Sequence, residues 1–410
     1  MAIERQVPDP AQTAEPVQDL TTERSADDLD EQIIEVLEGL DEEGIQVQED
    51  GSVILGEPEV EMPGLGFGEN LAEVVSENEL DKIYVELMSA IENDKSARED
   101  WEKTYTDGLK YLGMKFDDER SEPFEGASGV IHPLLGESVT QFQAQAYKEL
   151  LPPQGPVKTQ VVGEYNSAVE EQAQRVKEFM NYQITHVMEE YDEDLDQMLF
   201  YLPLAGSAFK KVYYDENLGR AVSKFVAPED LIVPYYTTDL ENCPRITHLI
   251  KMPENEVKKL QAIGFYRNVK VDTGDDETVD AGLESEQEKL EGVRPSYDTG
   301  EVCNLYEIHC NLDLEGFEDK DEDGEFTEVK LPYIVTIDTN SDNILSIRRN
   351  FAEDDPMKNK IEYFVHFKFL PGLGFYGFGL THMIGGLSKA STSIVRQLID
   401  AGTLSNLPAG

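Results

Sequence analysis

From residue 76 onward the apolar positions fall into two regimes. Leu80, Tyr84, Leu87, Ile91, Trp101, Tyr105, Leu109 and Leu112 follow one another at helical spacing, which predicts a long helix with one buried face. Ser76 and Glu79, three residues apart just before that run, form a capping box, so the helix is expected to start there. The Glu122-Pro123-Phe124-Glu125-Gly126 stretch breaks the pattern. A second helix is predicted over residues 134–150, stopped by Pro152-Pro153, a third over 167–190, and a fourth from Tyr191.

Beyond residue 205 the period shortens toward two. Residues 208–214 and 221–226 flank Asp215-Glu216-Asn217-Leu218-Gly219 and read as a hairpin. Residues 254–263 read as a short helix. Residues 302–312, 329–338, 344–349 and 363–370 read as strands of an antiparallel sheet. A last helix is expected over 380–401, with Met383, Ile384, Leu387, Ile394, Val395 and Leu398 as a narrow apolar stripe among Ser, Thr, Gly and Ala. The small residues permit close helix neighbours, either copies of itself or ordinary partners within one chain. The expected class is α+β: helical over 76–200, mainly strands over 205–375, with an acidic, Gly-rich and mobile insertion at 272–300.

The first 75 residues differ. Residues 1–80 hold 23 acidic side chains and two basic ones, Arg5 and Arg24. Such a stretch cannot bury enough apolar surface to order itself, so 1–75 is expected to be a mostly disordered acidic arm. Leu29, Ile33, Ile34, Leu37 and Leu40 could form an amphipathic helix within it, and residues 51–55 a short strand. The arm reads as a docking segment or as a solvated tail. Over the 410 residues, 84 acidic side chains face 34 basic ones, a net charge of -50. Affinity for nucleic acid comes mainly from Lys and Arg displacing counterions, so a protein of this charge can guide DNA but does not grip it. The longest apolar run, near 199–209, contains Pro203 and Gly206 and is too short to span a bilayer. Met1-Ala2-Ile3-Glu4-Arg5 lacks the pattern of a secretory signal. Synthesis and assembly in a cytoplasm, away from membranes, are expected.

Candidate chemistry is sparse. Gly372-Leu373-Gly374-Phe375-Tyr376-Gly377 fits G-x-G-x-x-G between a predicted strand and a predicted helix, with Asp400 some twenty residues on, the context of a dinucleotide fingerprint. Pro371 directly before it and the antiparallel pattern of the preceding strands speak against that reading. Asp319-Lys320-Asp321-Glu322-Asp323-Gly324 resembles the start of an EF-hand loop, but Lys330 stands where the bidentate Glu is needed, and a solvated hairpin turn is expected. Cys303 and Cys310, with six residues between them and beside His309, match no zinc spacing and read as buried thiols in a strand. No catalytic, cofactor or metal residue is assigned, and the chain is not expected to be an enzyme.

Several stretches in order resemble the portal (head-to-tail connector) proteins of tailed bacteriophages, the large portals of short-tailed phages in particular. They are Ile131-His132-Pro133-Leu134-Leu135-Gly136-Glu137-Ser138-Val139 with its helix, Gly155-Pro156-Val157-Lys158-Thr159, and the hairpin led by Leu204-Ala205-Gly206-Ser207-Ala208-Phe209. Ala227-Pro228-Glu229-Asp230-Leu231-Ile232-Val233-Pro234 follows, and Tyr363-Phe364-Val365-His366-Phe367 then runs through the glycine turn into the last helix. The resemblance covers about residues 80–410.

The resemblance implies a structural protein forming a ring, twelve subunits in that family, at one capsid vertex. It implies a conduit for double-stranded DNA during packaging and ejection. It further implies contacts with major capsid protein, scaffolding protein, the terminase large subunit and tail adaptor proteins, no cofactor, and a place in the virion after assembly in the bacterial host. Residues 76–375 would be the wing. Gly372, Gly374, Gly377 and Gly379 would form the turn into the first stem helix, 376–410. Lys389, Arg396, Ser388 and Thr392 would face the DNA channel or a neighbouring subunit. Portal proteins continue through a clip, a second stem helix and a crown, so further segments are expected downstream. An acidic scaffold or adaptor protein, or a nucleotide-binding enzyme using Gly372–Gly377, are the alternatives.

Overall fold

A computed structural model describes residues 45–47, 53–55, 66–114, 124, 127–163, 166–215, 218–273, 281–292, 302–320, 326–327 and 329–406. The chain divides into two compact units, 1–65 and 66–410. In the first, β1 (Ile45–Val47) pairs antiparallel with β2 (Val53–Leu55), the latter where a strand was expected. The expected helix through Leu29 to Leu40 lies outside the described residues.

The second unit is α+β. Helix α1 (Glu77–Lys110) begins where the capping residue predicts, with the Ser76 hydroxyl accepting from the Glu79 N–H at 3.4 Å. Its 34 residues span about 50 Å at 1.5 Å per residue, long enough to serve two cores. Leu80, Ile83, Leu87 and Ile91 lie on one face and pack against a five-stranded antiparallel sheet. Tyr105 and Leu109 pack further along against α2 (Leu134–Leu150) and α4 (Tyr191–Ala205). Between α2 and α4 stands α3 (Ser167–Tyr182), continued by one π-helical turn.

The large sheet has the order β5 (Leu231–Ile232), β6 (Arg245–Pro253), β7 (Val302–Leu312), β8 (Leu331–Asp338), β9 (Asn343–Arg349). Strands β3 (Ser207–Asp215) and β4 (Arg220–Val226) form the expected hairpin. The expectation that 363–370 joins the strands before it is corrected: β10 (Phe364–Lys368) pairs with β3 in a separate three-stranded sheet. Lys211 on β3 ties the two sheets together. Its ammonium meets Glu307 on β7 at 2.6 Å, and the His309 ring meets the same carboxylate at 2.8 Å. Burial alone would raise Glu307, but the Lys211 charge and the His309 hydrogen bond hold it well below the usual carboxylate range. His248 nearby is half-buried, and the loss of solvent around its ring pushes it down to about 3, so it stays neutral. Cys303 and Cys310 are free, buried thiols of β7, as read.

Three expectations need correction. Order begins before Ser76. Leu71 and Ala72 are buried in the sheet core, and the Asn70 carboxamide pairs with the outer edge of β9, donating to Leu345 O at 3.0 Å and accepting from Ile347 N at 3.0 Å. A polar side chain thus covers backbone groups that a bare edge strand would leave open. The 272–300 stretch, expected to be mobile throughout, contains helix α6 (Ala281–Glu291). That helix is anchored by fully buried Leu283 and by Gln287, which donates to Glu229 Oε1 at 2.5 Å; residues 274–280 and 293–300 lie outside the described residues. Strand β6, not expected from the pattern, is central to the large sheet. Beneath α6, Arg98 of α1 donates to Leu231 O and Glu229 O and bridges to Glu102. Burial, with the charge of neighbouring Asp230, pushes Glu229 up to about 7. Helix α5 (Glu254–Ala262) forms as predicted, and α7 (Leu380–Asn406) closes the described chain.

Among the described residues no helix is long and apolar enough to cross a membrane. Of the acidic hairpin, residues 321–325 lie outside the described residues. Asp319 is held by Lys358 and by the Thr327 hydroxyl at 2.6 Å.

Candidate functional site

The glycine turn joins β10 to α7 and is built around close backbone approach. Gly206 ends α4 with φ 87°, a left-handed conformation that favours glycine. A Cβ on Gly377 would strike Gly206 O and sit 2.9 Å from Leu370 O; one on Gly379 would lie 2.5 Å from Leu204 O. A Cβ on Gly372 would lie 2.5 Å from Tyr376 O, whereas Gly374 has open space. The four glycines therefore do form the turn into the last helix, three of them because nothing larger fits.

The same geometry speaks further against the dinucleotide alternative. The N–H groups of Gly377, Phe378 and Gly379 are already taken by the Ser207 hydroxyl at 2.9 Å, Leu370 O at 2.8 Å and His382 Nδ1 at 3.2 Å. Phe375 fills the inside of the loop against Phe209 and His366, and Tyr376 stacks on Trp101 at 4.4 Å. Strand β10 runs antiparallel to its neighbour, and Asp400 accepts the Ser128 N–H at 2.7 Å.

Helix α7 has a polar row turned inward. Ser388 and Thr392 are buried at 0% and 4% exposure. They cannot face a channel or another subunit, which corrects the expectation for both. An extended segment explains why. His132 N donates to Thr392 Oγ1 at 3.1 Å, Arg396 Nε donates to Val130 O at 2.7 Å, and Ser128 N donates to Asp400. Two residues of extended chain advance about 6.6 Å and four residues of helix about 6 Å, so alternate residues 128, 130 and 132 meet α7 positions spaced by four. Arg396 is thereby bound to its own chain, while Lys389 is exposed. The signal for this row, Ser388, Thr392, Arg396 and Asp400 at i+4 steps, was present in the sequence.

The apolar row faces the other way. Met383, Leu387, Ile394 and Leu398 are 59%, 60%, 57% and 68% exposed. At 100° per residue they fall within an arc of roughly 60°, while Ser388 and Thr392 lie more than about 100° round from its middle. Only Leu380 and Ile384 lean partly into the core formed by α1, α2 and α4. The stripe is also poor in acids. At the chain's own density of 84 acids in 410 residues, the 27 residues of α7 would hold five or six; they hold Asp400 alone, against Lys389 and Arg396.

No protein-family model matches the sequence, and no curated protein matches it.

Proposed function

We propose that this chain is a ring-forming structural subunit of the portal type, seated at a capsid vertex of a tailed phage, through whose centre double-stranded DNA passes. The observation that carries the reading is α7, which buries its polar row and turns an apolar, acid-poor stripe outward. A helix with that inversion is suited to association: protein interfaces are depleted of charge at their centre, and a charge of -50 opposes any contact between copies that is not locally free of acid. A closed ring of identical subunits uses one such surface per neighbour, in a heterologous contact. The overall acid excess fits a conduit, since a negative wall offers the phosphate backbone no deep binding well. Capsid, scaffolding, terminase and tail adaptor proteins would be its partners, the virion its location, and no catalytic group is assigned. Imaging the full-length product by negative-stain electron microscopy tests this. Rings with a central hole, twelve-fold as the resemblance implies, are expected; a dispersed monomer at every concentration overturns it.

A further inference from the structure

Helix α6 lies along α1 and is held there by few groups. Leu283 is buried, and Leu290 partly buried, in the core that contains Tyr105 and Leu109. Two polar contacts complete the seat. Gln287 Nε2 donates to Glu229 Oε1 at 2.5 Å, and Lys251 meets Glu284 at 2.5 Å on the exposed rim. A helix of eleven residues is marginal alone in water, so this seat decides whether α6 is formed.

Glu229 is the buried group beneath it. An ionised carboxylate needs donors on both oxygens. Gln287 serves Oε1, while among the described residues Oε2 is buried with no hydrogen-bond partner, a setting that favours the neutral acid. From α1 the carboxyl is faced by Arg98, with its partner Glu102, and by the Tyr105 phenol; from α4 it is faced by Tyr201, which also feels Glu291 of α6. Asp230 adjoins it, itself faced by Lys251 of β6 and Glu284 of α6, and Tyr376 of the glycine turn faces Arg98. Both cations are committed elsewhere. Arg98 Nε bridges to Glu102 at 2.7 Å and its other nitrogens donate to Leu231 O and Glu229 O, while Lys251 holds Glu284. Burial, with the Asp230 charge, therefore raises Glu229 above the ordinary carboxylate range, and burial raises Asp230 likewise. Burial also pushes the Tyr105 and Tyr201 phenols up, so they stay neutral.

We propose that α6 is a pH-released strap: a proton on Glu229 keeps the helix seated through Gln287, and loss of that proton places two adjacent carboxylates, Glu229 and Asp230, beneath a helix of four glutamates and one lysine, which lifts from α1. Release uncovers the apolar face of α1 around Tyr105 and Leu109. The sign follows from burial. The seated state holds the proton more tightly than the released one, so seating is favoured at acid pH and declines as pH rises through the neutral range. The strap belongs to the single subunit and does not depend on the ring reading.

The test is hydrogen–deuterium exchange of the full chain at about pH 5.5 and about pH 8, on either side of that range, corrected for the pH dependence of intrinsic exchange. The amides of 281–291 should lose roughly tenfold in protection at the higher pH, tenfold being the change for each pH unit by which seating displaces the titration, while β7 and β8 keep theirs. Glu229→Gln retains an acceptor for Gln287 and cannot ionise, so its 281–291 protection should be the same at both pH values. Gln287→Ala alters the strap alone and should lower that protection at acid pH too. The proposal is overturned if 281–291 of the parent is equally protected at both pH values, or if the whole chain loses protection together. It is equally overturned if Glu229→Gln keeps the parental loss, or if Gln287→Ala leaves protection at acid pH unchanged. Should Glu229→Gln fail to fold, the parent and Gln287→Ala decide by the same criteria.

Discussion

Replacing Leu387 and Leu398 together by glutamine separates an assembly surface from a packing surface. The two side chains are 60% and 68% exposed. Full burial of a leucine is worth about 1.5–3 kcal/mol, so roughly three-fifths of that, about 1–2 kcal/mol each, is still available to a partner. The double variant should therefore weaken each subunit contact by about 2–4 kcal/mol, or roughly thirty- to several-hundred-fold in association constant. Glutamine is close to leucine in helix propensity, and exposed sites change folding stability by no more than about 0.5 kcal/mol. The free subunit should thus melt as the parent does. Leu135→Ala is the contrast: Leu135 is fully buried in the core that includes α2 and Leu380 of α7, and its truncation should cost the subunit about 2–5 kcal/mol. Mass photometry reads assembly, and thermal unfolding of the dissociated subunit reads stability. If L387Q/L398Q assembles at the parental concentration, or if it lowers the subunit's melting temperature by several degrees, the outward orientation of the stripe is not what drives association.

Three further outcomes are expected. Gly377→Ala should destabilise the subunit by about 1–3 kcal/mol, because the added Cβ meets unmovable backbone, while Gly374→Ala, with open space around it, should stay within about 0.5 kcal/mol by thermal unfolding. Removing one partner of the Lys211–Glu307 bridge, as in Lys211→Met, should cost about 3–5 kcal/mol. Glu307 is depressed when folded, so its stabilisation is present above the ordinary carboxylate value and lost as pH falls; Glu307→Gln should flatten that acid limb in melting temperature against pH. Glu229 has the opposite sign. Its folded value of about 7 lies above the ordinary 4.5, so the folded chain holds a proton the unfolded chain has released, and its contribution declines as pH rises between those values. Glu229→Gln should remove that decline, and an unchanged slope would show the carboxyl is not the group responsible.

Strong local signals in the sequence carried through to the structure. The capping serine, the proline stops and the Asp215–Gly219 turn each place an element boundary by local chemistry, and the structure has them. What the pattern missed depended on contacts distant in sequence. Strand β6 buries Ile246, Thr247 and Leu249 on a run that ends in Pro253, and its place is set by neighbours on both sides rather than by alternation. Helix α6 has a single fully buried leucine among glutamates, and Asn70 acts on a strand some 275 residues away. At the candidate site the stripe itself was legible, but its direction was not. Periodicity gives the two rows and their separation; the portal resemblance turned Ser388 and Thr392 toward a channel or a neighbouring subunit, and the extended segment at 128–132 reverses it.

That segment also restricts how α7 can move. The helix presents four polar teeth at equal pitch, Ser388, Thr392, Arg396 and Asp400, to a rail that engages three of them; among the described residues Ser388 Oγ, which is buried, has no hydrogen-bond partner. Rotation about the helix axis breaks all three engagements at once. Displacement along the axis by four residues, about 6 Å, would bring Ser388 to His132 N but set Arg396, which has no acceptor, against the Ser128 N–H, so the three contacts fix one axial register for the helix.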